Sequence, residues 1–169
     1  MARRRYRRRY YRSKGRWSAN IKNINEEQSV STSGTFGSSV DLCLNPVQDS
    51  LTVSQTYTVK NIELSVYLES DNTNTIEDVE HYIMYVPQGM NLTVNYNYEH
   101  PEYIMAYYYQ GNPIPDGEST GYRLKLKTRM ARRLQTGDRI IYFYKGRRDT
   151  IGTYNISCKG LVRWWTKAN

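Results

Sequence analysis

Acidic side chains are missing from the start of the chain; the first is Glu26. Cysteine and histidine are reduced to two each, and Cys43, His81, His100 and Cys158 lack the close spacing of a zinc site. No glycine-rich phosphate loop or nucleophile motif accompanies those histidines, so neither catalysis nor a metal or cofactor is expected. Both cysteines sit in apolar, strand-like runs and are expected as buried, reduced thiols. No apolar run approaches the roughly 20 residues that span a bilayer, and none follows the opening charges as a secretion signal requires. Membrane insertion and export are therefore not expected, and the sequons at Asn91 and Asn155 carry little weight. An amphipathic helical stripe is missing too, which sets aside a helix bundle and an organelle transit peptide.

What is present is concentrated positive charge. The opening "MARRRYRRRYYRSKGRW" holds nine basic residues, Arg3, Arg4, Arg5, Arg7, Arg8, Arg9, Arg12, Lys14 and Arg16, and no acid. Tyr6, Tyr10, Tyr11 and Trp17 are set between and after them. Such a stretch cannot bury enough apolar surface to offset chain entropy, so residues 1–17 are expected as a disordered arm. Arginine binds phosphate through a planar fork, and the aromatic rings offer faces on which unpaired bases stack. The arm thus reads as a nucleic-acid-binding segment leaning towards single strands. Its arginines, Arg3 to Arg12, also suit a nuclear localisation signal, which would make the host import machinery a partner.

The remaining charge is divided. Residues 17–120 hold 14 acids against Lys22 and Lys60, whereas residues 121–169 hold 13 basic residues against Asp138 and Asp149. Within the basic part, "YRLKLKTRM" alternates: Arg123, Lys125, Lys127 and Arg129 point one way, Leu124, Leu126 and Met130 the other. If the leucines are core, the charges leave on one face and form a second candidate phosphate surface. The acidic stretch 69–80 is expected to face outward or towards a neighbour.

Period-two patterning dominates from residue 18 to 169. "KNIELSVYLES" is its clearest case, and further strands are expected at 36–44, 80–87, 92–98, 103–109, 139–145 and 153–165. Turn chemistry separates them at Asn45-Pro46, Pro87-Gln88-Gly89, "GNPIPDG" and Thr136-Gly137-Asp138. About eight antiparallel strands with long loops near 70–79 and 110–121 predict an all-β, eight-stranded jelly roll over 18–169, behind the arm. In that fold the first and last strands pair, which could bring Cys43 and Cys158 near each other. Trp164 and Trp165 point to opposite faces of the last strand and are candidate interface anchors.

The opening "ARRRYRRRYYR", the strand-rich body, and the late stretches "RMARRLQTGDRI" and "GLVRWWTKAN" together resemble capsid proteins of circular, Rep-encoding single-stranded DNA viruses, the circovirus-like group. The chain is shorter than typical members, so some surface loops are expected to be reduced. The resemblance implies a single jelly roll, self-assembly into a closed icosahedral shell of about sixty copies, an inward arm and packaged circular single-stranded DNA. Virion and host nucleus are the implied locations. About sixty arms would carry roughly 540 charges, well under half the phosphates of a minimal genome. That balance calls for the strip from Arg123 to Arg133 at the genome as well. A capsid of a small RNA satellite virus shares the architecture, and a non-viral barrel module that binds single-stranded nucleic acid shares the composition; size in solution separates the module from the shell.

Overall fold

The computed structural model describes residues 16–30, 34–45, 56–71, 76–114, 118–148 and 153–168. They form nine antiparallel strands in two sheets: β1 (Ser18–Val30), β2 (Gly34–Leu44), β3 (Tyr57–Ser70), β4 (Ile76–Val86), β5 (Ile104–Gln110), β6 (Leu124–Thr128), β7 (Arg132–Leu134), β8 (Arg139–Arg148) and β9 (Tyr154–Ala168). One sheet runs β1-β9-β3-β6, with the short β7 paired to the start of β3. The other runs β2-β8-β4-β5. Strands β1 to β4 alternate between the sheets, β4–β5 and β6–β7 each stay within one, β7 to β9 alternate again, and the last long strand lies beside the first. That is the connectivity of a jelly roll, as the sequence predicts.

The alternation in β3 does what its pattern requires. Ile62, Leu64, Val66 and Leu68 are buried between the sheets while Glu63, Ser65, Tyr67 and Glu69 turn out. Facing them across the sandwich are Val79 and Ile83 of β4 with Ile140, Tyr142 and Tyr144 of β8. Cys43 lies on β2 and Cys158 on β9, in different sheets, so they are not on neighbouring strands as the fold seemed to allow; both are buried free thiols.

Four expectations are corrected. Residues 92–98 form no strand: they lead through a turn into a one-turn helix, α1 (Tyr96–Glu99). The reason is that β4 and β8 bury both faces. Tyr82, Met84, Ile141 and Phe143 point away from the main core, and residues 87–103 fold over them, placing Met90, Leu92, Tyr96 and Tyr103 against this second apolar layer. The strand β1 was not foreseen, because only Ile24 and Val30 of its side chains are buried. The segment 70–79 is not all loop, since β4 already begins at Ile76. Met130 is 46% exposed rather than core, because β6 ends at Thr128 and the chain turns before β7.

One buried carboxylate pins the lower end of the sandwich. Asp138 accepts from the Tyr85 hydroxyl at 2.7 Å, the Gln88 amide at 3.1 Å and the Gln135 amide at 2.8 Å. It thereby joins the β7–β8 turn to the end of β4. Asp138→Ala strands three donors at once and is expected to cost about 2–3 kcal/mol, read as a lower urea midpoint at unchanged slope.

Candidate nucleic-acid interface

The outer face of the β1-β9-β3-β6 sheet gathers basic side chains that are far apart in sequence. Because β3 lies between β9 and β6, its outward residues set the rows. Glu63 stands between Arg163 and Lys127, Ser65 between Leu161 and Lys125, and Tyr67 opposite Lys159. The rows are outward because their strand neighbours, Leu124 and Leu126 on β6 and Cys158 and Val162 on β9, are buried. At the lower end Lys60 pairs in register with Trp165, and Lys167 with Thr58.

Eight cations share this face, Lys60, Arg123, Lys125, Lys127, Lys159, Arg163, Lys167 and, on β7 across Thr58 from Lys167, Arg133, against the carboxylates of Glu27, Glu63 and Glu69. Lys127 Nζ lies 3.5 Å from Glu63, and Lys159 hydrogen-bonds Glu69, which holds its ammonium above the ordinary range. Arg123 sits over the Tyr67 ring at 5.4 Å. Lys125 and Arg163 have no ion-pair partner among the described residues. Exposed pairs such as Lys127–Glu63 contribute at most about 1 kcal/mol, so a polyphosphate can displace them. The face has surplus positive charge and loosely held cations.

Aromatic rings stand where β1 enters this face. Trp17 is 38% exposed, and Lys60 Nζ lies 3.9 Å above its ring. Trp165, partnered with Ala19 and Lys60, turns to the same side. Trp164 turns inward and packs, half-buried, at the edge of the main core. It also lines a cleft of about 510 Å³ between the sheets, with Arg16, Leu42, Cys43 and Tyr57. Cys43 Sγ is 3.8 Å from the Tyr57 hydroxyl, but burial pushes its thiol up; burial likewise pushes Cys158 up to about 12. Both are thiols rather than nucleophilic thiolates at neutral pH.

Of the residues predicted from sequence, Arg123, Lys125 and Lys127 lie together on the basic face, and Trp17 and Trp165 lie at its edge. Arg129 does not join them, because it stands beyond the end of β6. Arg16 is exposed at the cleft, and Arg3, Arg4, Arg5, Tyr6, Arg7, Arg8, Arg9, Tyr10, Tyr11, Arg12 and Lys14 lie outside the described residues. Lys60, Lys159, Arg163 and Lys167 were missed. Only Lys159, Arg163 and Lys167 carried a signal, a spacing of four and four that keeps one strand face.

Among the described residues no group of three or more His, Cys, Asp or Glu could hold a metal ion, and no helix is long and apolar enough to cross a membrane. No family model and no curated protein matches the chain. A chain in the structure of infectious bursal disease virus, Gx strain, is similar at 8% identity and a TM-score of 0.23; the match covers 90% of this chain and 38% of that one.

Proposed function

We propose that the protein is a viral capsid protein that assembles into a small closed shell of about sixty copies and packages circular single-stranded DNA. One observation carries this reading: an Arg-rich stretch runs directly into the edge strand of a jelly roll whose outer face adds eight further cations. The arm supplies long-range attraction for phosphate. The face supplies a fixed surface, with Trp17 and Trp165 placed for stacking on unpaired bases. The resemblance of both sequence ends to circovirus-like capsid proteins supports DNA over RNA and gives the arm its role in nuclear import. In this reading the face looks into the shell, and virion and host nucleus are the locations.

Purified protein is expected as particles of megadalton mass, and a species near 20 kDa at every salt and protein concentration would instead identify a monomeric binding module. Digestion of the packaged nucleic acid by deoxyribonuclease or ribonuclease separates the DNA from the RNA reading. The face is tested by Lys125→Gln, Lys127→Gln and Arg163→Gln together. Removing three phosphate contacts to single strands should flatten the slope of log affinity against log salt by about 2, without creating sequence preference. The fold should be unaffected, because Lys125, Lys127 and Arg163 are exposed. An unchanged slope would remove this face from the proposal.

A further inference from the structure

The opposite side of the sandwich has a different chemistry. Strand β5 is the edge of its sheet; its Tyr107 and Tyr109, 53% and 50% exposed, turn to the outer face with Tyr82 and Glu80, while Tyr108 turns the other way beside His81. No lysine or proline lies within Ile104–Gln110 to discourage pairing. Tyr98, exposed on α1, extends the patch.

Carboxylates sit among these rings. Asp78 accepts from the Tyr109 hydroxyl at 2.6 Å, and Glu80 accepts from Tyr82 at 2.9 Å and Tyr98 at 3.2 Å. Asp78 occupies a bulge of β4 with φ of 52°, a left-handed conformation that aspartate tolerates. The Tyr98 and Tyr109 phenol protons are thus used within the chain, leaving ring faces and carboxylate lone pairs to meet a partner. Cations of the chain itself already exploit this chemistry: Lys145 lies 4.2 Å over the Tyr98 ring, and Arg147 bridges Glu77 at 3.1 Å and Asp78 at 3.6 Å. The matching partner is therefore cationic with an apolar tip. Two copies of the patch cannot face each other, because carboxylates would oppose carboxylates.

The described residues include such a knob outside the basic face. Between β6 and β7 the turn exposes Arg129, Met130 and Ala131, with Met130 46% exposed. The two features lie at opposite ends of the sandwich. β7 pairs with Tyr57–Val59 at the start of β3, whereas Asp78 bonds to Gly111, in the loop held to the far end of β3 by Gly121 and Leu68. Both can then be occupied at once, by different neighbours.

We propose that the tyrosine–carboxylate patch of β4 and β5 receives the Arg129–Ala131 turn of a second copy in a head-to-tail contact. Such a contact is heterologous and builds closed rings when the rotation between copies closes. The inference rests on the capsid reading and names the surfaces that would join its subunits.

Charge reversal tests it, with particle yield read by sedimentation and folding by thermal melting. Asp78→Lys with Glu80→Lys should lower particle yield at least tenfold, and so should Arg129→Glu. All three changes in one chain should restore it to within threefold of the unaltered protein. Arg129 has no hydrogen bond or ion pair among the described residues, so Arg129→Glu alone serves if the patch variants do not fold; it should also cut the yield. Wild-type yields in folded single-sided variants, or losses that the combined chain does not recover, would overturn the contact while the unaltered protein still forms particles. Failure of the unaltered protein to form particles would overturn the capsid reading, and this contact with it.

Discussion

Gly160→Ala is expected to unfold the protein or leave it barely stable. Gly160 lies on β9 between Ile24 of β1 and Val66 of β3, at the centre of the basic sheet. A Cβ there would stand 2.2 Å from the Ser65 carbonyl oxygen and 2.7 Å from Val66 Cα. Both are backbone atoms, so no side chain can swing aside; the two strands must separate, and the rows of cations on the far side of the sheet separate with them. Overpacking of a well-filled core costs about 1–3 kcal/mol, and displacement of a central strand belongs at or beyond the top of that range. Against a total stability of about 5–15 kcal/mol that is a large fraction. Gly37→Ala is the control, because its Cβ would meet its nearest atoms at ordinary distances of 3.4–3.5 Å. Urea unfolding should show Gly37→Ala within about 1 kcal/mol of the parent and Gly160→Ala unfolded or shifted by more than 3 kcal/mol. Equal midpoints for all three chains would mean that β9 and β3 do not approach as closely as described.

Gly160 also shows where sequence reading stops. Its strand was legible from alternation in "ISCKGLVRWW", but nothing local says that the glycine faces the backbone of a strand some ninety positions earlier. That depends on register, which is a tertiary fact. The long strands β3, β8 and β9 were legible because apolar residues recur at period two or in unbroken runs. β1 was not, since an edge strand buried on one side needs little apolar content: Ile24 and Val30 suffice when β9 supplies the hydrogen bonds. Residues 92–98 misled for the opposite reason. Leu92, Val94, Tyr96 and Tyr98 alternate like a strand, yet the deciding feature lies elsewhere, in "HYIMYV" and "RIIYFY". Unbroken apolar runs mark strands covered on both faces, and something had to supply the second cover.

The basic face was half legible for the same reason. Periodicity put Arg123, Lys125 and Lys127 on one side of β6, but the insertion of β3 between β6 and β9 is what brings Arg163 and Lys159 alongside. Charge totals alone pointed to residues 121–169 without saying that their cations divide. Lys145 and Arg147 of β8 serve the tyrosine–carboxylate patch on the other sheet instead.

Acid should loosen the protein through His81. This residue is fully buried on β4; its Nε2 lies 3.2 Å from Gln110 Oε1, and its Nδ1 lies 2.8 Å from the Tyr142 hydroxyl. The Gln110 oxygen accepts, so Nε2 carries the proton and Nδ1 accepts from Tyr142. The neutral ring is therefore fully satisfied. No carboxylate among the described residues hydrogen-bonds it, and Tyr108 and Tyr142 crowd its faces. Burial lowers its pKa from 6.5 to about 4, with the Gln110 hydrogen bond offsetting only part of the effect. The unfolded chain thus takes up this proton at higher pH than the folded one. Stability from His81 is complete above pH 6.5 and falls as pH drops through the window down to about 4, where roughly 3 kcal/mol is lost. His81→Gln keeps a polar group at the site but removes the titration. It should lower stability at pH 7.5 through lost packing, yet lose much less than the parent between pH 7.5 and 4.5. Urea midpoints at those two values, measured on both chains, decide the matter. If both chains lose the same amount, the acid sensitivity belongs to the carboxylates and His81 has no part in it.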